Sequence, residues 1–197
     1  MADQIGTLQK IKLASTEALS PNAALSDDAK ALIATPLPIA KFLGLLLDAA
    51  LLDDAVKLFA HALPKREAVW WACLAARSLP ETTATPELEA AIDAAEAWVY
   101  KPSEENRRAA LDKATASGLK QPASWAAMAA AWSGGSLAPP NAPVVPPAEH
   151  LTGLAVVGVV LLAAVANEPA KRPEKLKAFL AQAIDIGNGG NGRNKAA

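Results

Sequence analysis

The sequence predicts an all-α fold, a single globular domain of about seven or eight short helices packed as antiparallel hairpins around a hydrophobic central helix. Alanine, which has the highest helix propensity, is the commonest residue in the chain. Apolar residues recur at spacings of three and four, which is the helical period. Prolines fall mostly between those periodic segments, where they end one helix and precede the next.

About eight segments are predicted as the principal helices from this periodicity and from capping residues. Thr85-Pro86 and Ser103 are typical helix starts, and Gly118 is a typical stop. Ser26 is expected to cap a further helix, with Asp27 and Asp28 in its first turn. The principal segments are 39–48, 50–63, 65–78, 85–100, 104–116, 122–132, 149–167 and 172–186.

The helical domain is expected to cover residues 26–186, preceded by a variable N-terminal helix or arm over 1–25, with a helix predicted at 7–19. Residues 134–149 contain five prolines and are predicted to form a strap without regular helix. Residues 187–197 are rich in glycine and asparagine, which predicts a disordered C-terminal tail.

The composition disfavours several classes of function. The 197 residues carry a formal net charge of −1, so a strongly basic nucleic-acid binder is not expected. One cysteine and two histidines allow no intrachain disulfide and disfavour a structural zinc cluster. His61 and His150 have no partner at helical spacing that would make a metal site, and no phosphate-binding loop is present, so neither metal nor cofactor is predicted.

Residues 151–166 form an apolar run that tests the soluble interpretation. The run has one polar side chain, Thr152, and basic residues follow it at Lys171 and Arg172. It is shorter than the roughly 20 residues of a membrane span, which favours a buried central helix and leaves a single membrane span as the alternative. The N-terminus has no signal-peptide pattern, so the expected location is the cytoplasm.

Tryptophans mark the candidate partner-binding positions. Trp70 and Trp71 are adjacent on one predicted helix and point about 100° apart, so one of them can enter the core while the other meets a groove or a partner. Trp132 precedes a flexible loop and a proline run, and such loops often carry binding function. The candidate residues are Trp70, Trp71, Trp132, Ser133, Gly134, Gly135, Pro139 and Pro140.

Cys73 suggests an alternative, enzymatic interpretation. His61 lies twelve residues upstream, and an antiparallel hairpin could bring it towards the helix that carries Cys73. A thiol hydrolase or transferase would use this pair. No third residue that would orient the histidine is evident, and a cysteine inside an apolar run is usually a small core residue.

Three stretches together resemble an uncharacterised family of small bacterial helical proteins, a domain of unknown function. They are Arg66–Arg77, Glu96–Val99 with the nearby Pro102, and Trp132–Ser136, which leads into the prolines of the strap. The resemblance covers roughly residues 45–186. It implies no catalytic residue. It implies that the protein is related to accessory proteins that are found alongside type VI secretion components.

The sequence therefore favours a non-catalytic, cytoplasmic interaction protein, an adaptor or a chaperone-like accessory. Its expected partner is another protein, such as a secretion component or its cargo, and neither nucleic acid nor a membrane is expected. The tryptophans and the proline-rich loop are the positive indications.

Overall fold

The computed structural model describes residues 5–80 and 85–193, and within these residues it is all-helical, with nine α-helices and no β-strand. The helices are α1 Asp27–Ala31, α2 Ile39–Asp48, α3 Leu52–Ala62, α4 Lys65–Arg77, α5 Pro86–Tyr100, α6 Glu104–Ala116, α7 Pro122–Ala131, α8 Leu151–Val165 and α9 Arg172–Gly187. The all-α prediction is confirmed.

The helix starts follow the capping residues that the sequence shows. The Ser26 hydroxyl accepts a hydrogen bond from the Ala29 amide at 3.1 Å, and the Ser103 hydroxyl accepts one from the Asn106 amide at 3.2 Å. Each bond satisfies a backbone donor that has no partner within its helix. The capping side chains therefore set where α1 and α6 begin.

Two helices occupy the centre of the domain. The apolar helix α8 contacts α3, α4, α7 and α9, as expected for a hydrophobic central helix. The alanine-rich helix α7 contacts α4, α5, α6 and α8, and residues 126–131 of α7 are all buried. Small side chains let these backbones approach closely, which explains why the core carries so much alanine.

One side of α8 stays exposed, at Leu154, Leu162 and Val165. Among the described residues, no helix taken alone is long and apolar enough to cross a bilayer. The pair Leu151–Val165 and Pro169–Gly187 meets that requirement only jointly, by length and composition, and the pair is bent by 119°.

The predicted helix over 7–19 is wrong. The described part of the N-terminal arm is irregular, apart from short 3-10 turns at Thr16–Ala18 and Pro21–Ala23. Several of its backbone amides bond to distant residues: the Lys10 amide donates to the Gly187 carbonyl at 2.9 Å, and the Thr16 amide donates to the Leu37 carbonyl at 2.8 Å. Tertiary partners therefore override the helical pattern.

The predicted tail differs from the structure over residues 187–193, which pack on the domain. Asn188 accepts a hydrogen bond from the Leu8 amide, and its side-chain amide donates to the Ile5 carbonyl. Gly192 is buried, and its amide donates to the Asp185 carboxylate at 2.8 Å. Residues 194–197 of the predicted tail lie outside the described residues.

Candidate partner-binding site

Trp71 is a core residue. It is fully buried on α4, lies edge-on to Phe59 at 6.2 Å between ring centroids, and donates from Nε1 to the Phe179 carbonyl at 2.9 Å. A buried indole with a satisfied N–H is not available to a partner. Of the two adjacent tryptophans, Trp71 is therefore corrected from candidate anchor to structural residue.

Trp70 points the other way, towards the surface, and is half-buried. Its Nε1 donates to the Asn191 carbonyl at 2.7 Å, which ties α4 to the C-terminal segment 188–193. Tyr100, at the end of α5, lies 6.4 Å from its ring and is 70% exposed. The Arg193 guanidinium lies over the indole, 5.0 Å from its centroid.

These residues border a cleft of about 370 Å³, called here the Trp70 cleft. This volume falls within the roughly 300–1,000 Å³ that is usual for ligand sites. Its walls come from five parts of the chain: the N-terminal arm, the start of α4, the end of α5, the end of α9 and the C-terminal segment. The lining residues are Lys10, Arg66, Glu67, Trp70, Val99, Tyr100, Ile186, Gly189, Gly190, Asn191 and Arg193.

Some charged side chains of the cleft have an oppositely charged partner and others do not. Lys10 lies 3.7 Å from the Glu67 carboxylate, so each has an opposite charge nearby. Arg66 donates from Nε to the Val99 carbonyl at 2.7 Å. Within residues 5–80 and 85–193, neither Arg66 nor Arg193 forms an ion pair with a carboxylate. The cleft thus holds two guanidinium groups without an anionic partner in the described chain.

Trp132 ends α7 at a different surface. It is half-buried and packs edge-on against Trp125, with 6.0 Å between the ring centroids. The next residue, Ser133, is tied to α4 because its carbonyl accepts from the Lys65 ammonium at 3.1 Å. Lys65 precedes Arg66, so the strap and the Trp70 cleft both reach the start of α4, although their lining residues differ.

The strap is held by Arg107, a residue that is not among the candidates predicted from the sequence. Arg107 is buried on α6 and donates to the Ala131 carbonyl at 2.7 Å and to the Ser136 carbonyl at 2.9 Å. It also forms a bidentate pair with Glu104 at 2.7 Å, and these hydrogen bonds lower the pKa of Glu104. Arg107 is therefore a structural clasp between α6, α7 and the strap.

The glycine pair at the start of the strap divides into two roles. Gly135 has a φ of +65°, and a Cβ on it would lie 2.5 Å from Glu104 Oε2 and 2.6 Å from Arg107 Nε. A side chain there would displace the clasp. Gly134 is half-buried, and its missing Cβ would meet no atom within 4 Å. Gly135 therefore has a structural role, whereas the position of Gly134 could accept a side chain.

The outer part of the strap faces solvent. Pro139 and Pro140 are exposed, and so are Val144 and Val145. The Ser136 hydroxyl, itself buried, accepts from the Val145 amide at 3.0 Å and so closes the strap into a loop. The strap thus presents prolines and valines from a base that is fixed by hydrogen bonds.

Both histidines line a second cleft of about 340 Å³, between the N-terminal arm, the end of α3 and the start of α8. Burial, together with the charge of His150, lowers the pKa of His61. The Thr152 hydroxyl also lines this cleft, is buried, and has no hydrogen-bond partner among the described residues. No group of three or more metal-ligating side chains occurs in the described part of the chain.

Cys73 lies in the core of α4, where burial raises the pKa of its thiol. Cys73 is fully buried, whereas His61 is half-buried near the end of α3 and lines the second cleft. A neutral, buried thiol is a poor nucleophile. These features argue against the thiol-enzyme alternative.

Sequence reasoning missed most of the Trp70 cleft. Tyr100 was visible as the single tyrosine at a helix end, followed by Lys101-Pro102, and Arg193 was assigned to a disordered tail. Arg107 had a usable signal, because Glu104 and Arg107 are three residues apart behind the Ser103 cap. The closure of the cleft depends on the C-terminal segment, and no local pattern predicts where that segment folds.

The fold and this cleft define a small all-helical domain with a surface site lined by aromatic and cationic side chains. The chain belongs to the family of unknown function DUF6931, whose match covers residues 42–187. That range begins within α2 and ends with α9. It leaves out the N-terminal arm and the C-terminal segment 188–193, which both line the Trp70 cleft. No curated protein matches the chain, and no solved structure matches it.

Proposed function

We propose that the protein is a non-catalytic interaction protein, an adaptor or chaperone-like accessory, and that the Trp70 cleft is where it holds its partner. The observation that carries this proposal is the placement of Trp70 and Tyr100 at the surface beside Arg66 and Arg193, whose guanidinium groups have no carboxylate partner among the described residues. Tryptophan, tyrosine and arginine are the residues most enriched at the energetic centres of protein interfaces.

The strap supports the proposal as a second contact region. Its base is fixed by the Arg107 clasp, while Val144 and Val145 are exposed. A loop on a rigid base loses little conformational entropy on binding. The resemblance to accessory proteins of type VI secretion suggests a secretion component or its cargo as the partner, in the cytoplasm, and this assignment is part of the proposal.

The test is affinity purification of the tagged chain from its native host, read by quantitative mass spectrometry. Trp70→Ala and Trp132→Ala are purified in parallel, and circular dichroism verifies that each variant folds. We expect one stoichiometric partner that Trp70→Ala loses and that rebinds the wild type when both proteins are purified. Absence of a stoichiometric partner, or a partner retained by both variants, would overturn the proposal.

A further inference from the structure

The Trp70 cleft carries an inference about the chemistry of its ligand, which rests on the proposed function. We infer that the cleft binds an acidic peptide segment of the partner, with carboxylates held by Arg66 and Arg193 and an apolar side chain held against Trp70 and Tyr100. The inference rests on charge pairing, on the geometry of Arg193 and on the exposure of the aromatic rings.

The charge balance of the lining is positive. Three cations, Lys10, Arg66 and Arg193, line the cleft together with one acid, Glu67. Glu67 is paired with Lys10, and the nearby Asp185 carboxylate accepts from the Gly192 amide. The acids at this surface therefore have partners, whereas two guanidinium groups have no carboxylate partner among the described residues.

Arg193 is placed to bind a carboxylate. The Arg193 guanidinium lies over the Trp70 indole. The backbone amide of Arg193 donates to the side-chain oxygen of Asn191 at 2.9 Å, and this bond orders the turn that carries Arg193. Stacking uses the flat face of a guanidinium and leaves the N–H groups at its edge free. Those edge donors match the two oxygens of a carboxylate.

The rings supply the apolar part of the site. Tyr100 is 70% exposed, an unusual amount for a large aromatic side chain, and it faces Trp70 across 6.4 Å. An apolar side chain inserted beside these rings would be removed from water while its acidic neighbours reach the arginines. A short segment that contains both an apolar and an acidic residue would therefore contact both the aromatic rings and the arginines of the cleft.

The observations favour a peptide over a nucleic acid. Nucleic-acid binding draws its affinity from the neutralisation of several phosphates along an extended surface. The chain has a net charge of −1, and the two guanidinium groups that have no carboxylate partner in the described part of the chain lie in one cleft of about 370 Å³. A few carboxylates fit this arrangement.

The test is selection of a displayed random dodecapeptide library on the full chain, followed by binding measurements with synthetic copies of the enriched peptides. The variants are Arg66→Gln/Arg193→Gln and Trp70→Ala. The matched control is Lys113→Gln/Lys120→Gln, which removes the same charge from the last turn of α6 and the loop that follows it. Peptides with free and amidated C-termini separate side-chain carboxylates from a terminal one.

We expect enrichment of aspartate and glutamate beside an apolar residue. Binding should weaken about tenfold or more in the double arginine variant, because hydrogen bonds to charged groups are lost, and should fall with added NaCl. The lysine control should bind like the wild type. Peptides without acidic residues, equal binding to the arginine variant, or no enrichment would overturn the inference.

Two other occupants are separable outcomes that would also overturn it. Displacement of the peptide by a single-stranded DNA of equal charge would indicate general polyanion binding. A dimer that Trp70→Ala dissociates, with no acidic peptide bound, would identify a second copy of the chain. If the purified partner is lost by Trp70→Ala while the peptide selection fails, the proposed function stands and only the acidic chemistry falls.

Discussion

The guanidinium of Arg107 donates to the carbonyl oxygen of Ser136, 29 residues further along the chain, at 2.9 Å. The same group donates to the Ala131 carbonyl at the end of α7. One buried side chain therefore fixes the end of a helix and the start of the strap, and the strap can keep its shape without a helix or strand of its own.

Replacing Arg107 by alanine is expected to lower the free energy of unfolding by about 2–3 kcal/mol, because buried carbonyl oxygens lose their donor. Urea denaturation measures the change. Arg108→Ala is the control. Arg108 pairs with the same Glu104 at 2.7 Å but is half-exposed, so its loss should change stability by less than about 1 kcal/mol. Equal effects of the two substitutions would contradict the clasp.

The adjacent tryptophans should respond differently to substitution. Trp71→Ala removes a fully buried ring and should destabilise the fold by about 3–5 kcal/mol. Trp70→Ala should destabilise it by less than about 1.5 kcal/mol, because the ring is half-buried. Chemical denaturation of both variants tests this difference, and a larger loss for Trp70→Ala would show that the two roles are reversed.

Cys73 is expected to react with an alkylating reagent only after unfolding. The thiol is fully buried, and burial raises its pKa, so both access and thiolate formation are suppressed in the folded protein. Mass spectrometry after iodoacetamide treatment, with and without denaturant, measures the reaction. Rapid modification of the folded chain would revive the pairing of Cys73 with His61.

Two glycines of α8 provide a matched comparison. A Cβ on Gly153 would lie 2.6 Å from His61 Nδ1, whereas one on Gly158 would meet no atom within 4 Å. Gly158→Ala should therefore stabilise the protein by about 0.5–1 kcal/mol through helix propensity, and Gly153→Ala should destabilise it. Adding His61→Ala to Gly153→Ala should recover part of the loss. A double-mutant cycle on thermal unfolding measures that coupling.

His61 should make stability depend on pH. Its pKa is lowered from 6.5 by burial and by His150, so the unfolded state takes up a proton more readily than the folded state. Stability is expected to fall as the pH drops below about 6.5, until the lowered pKa of the folded state is passed. His61→Gln should remove this part of the pH dependence. If the free energy of unfolding changes by the same amount between pH 7.5 and pH 5.5 in the variant and in the wild type, the prediction is wrong.

Local signals predicted most of the helices because their starts depend on neighbouring residues. The predicted segments 39–48 and 104–116 coincide with α2 and α6, where prolines or a serine cap determine the start. The helix prediction for residues 7–19 failed because some of the segment's backbone partners are far away in sequence, at residues such as Leu37 and Gly187. No window of local sequence contains those partners.

The candidate site was predicted only in part, for a related reason. The 100° between neighbouring helical positions correctly implied that one of Trp70 and Trp71 enters the core, but the choice between them depends on where α3 and α9 pack. Arg193 reaches Trp70 only through the folded C-terminal segment, and Tyr100 reaches it through the packing of α5 on α4. The cleft is therefore a property of the assembled fold.

The hydrogen bonds between the N-terminal arm and the end of α9 have a consequence for synthesis on the ribosome. The amides of Leu8 and Lys10 donate to Asn188 and Gly187, and the Leu8 and Asn188 partners are 180 residues apart in sequence. A nascent chain therefore exposes residues 5–10 long before their partners are synthesised. The helical body can pack in that interval, and the arm can dock only after residues 187 and 188 have left the ribosome.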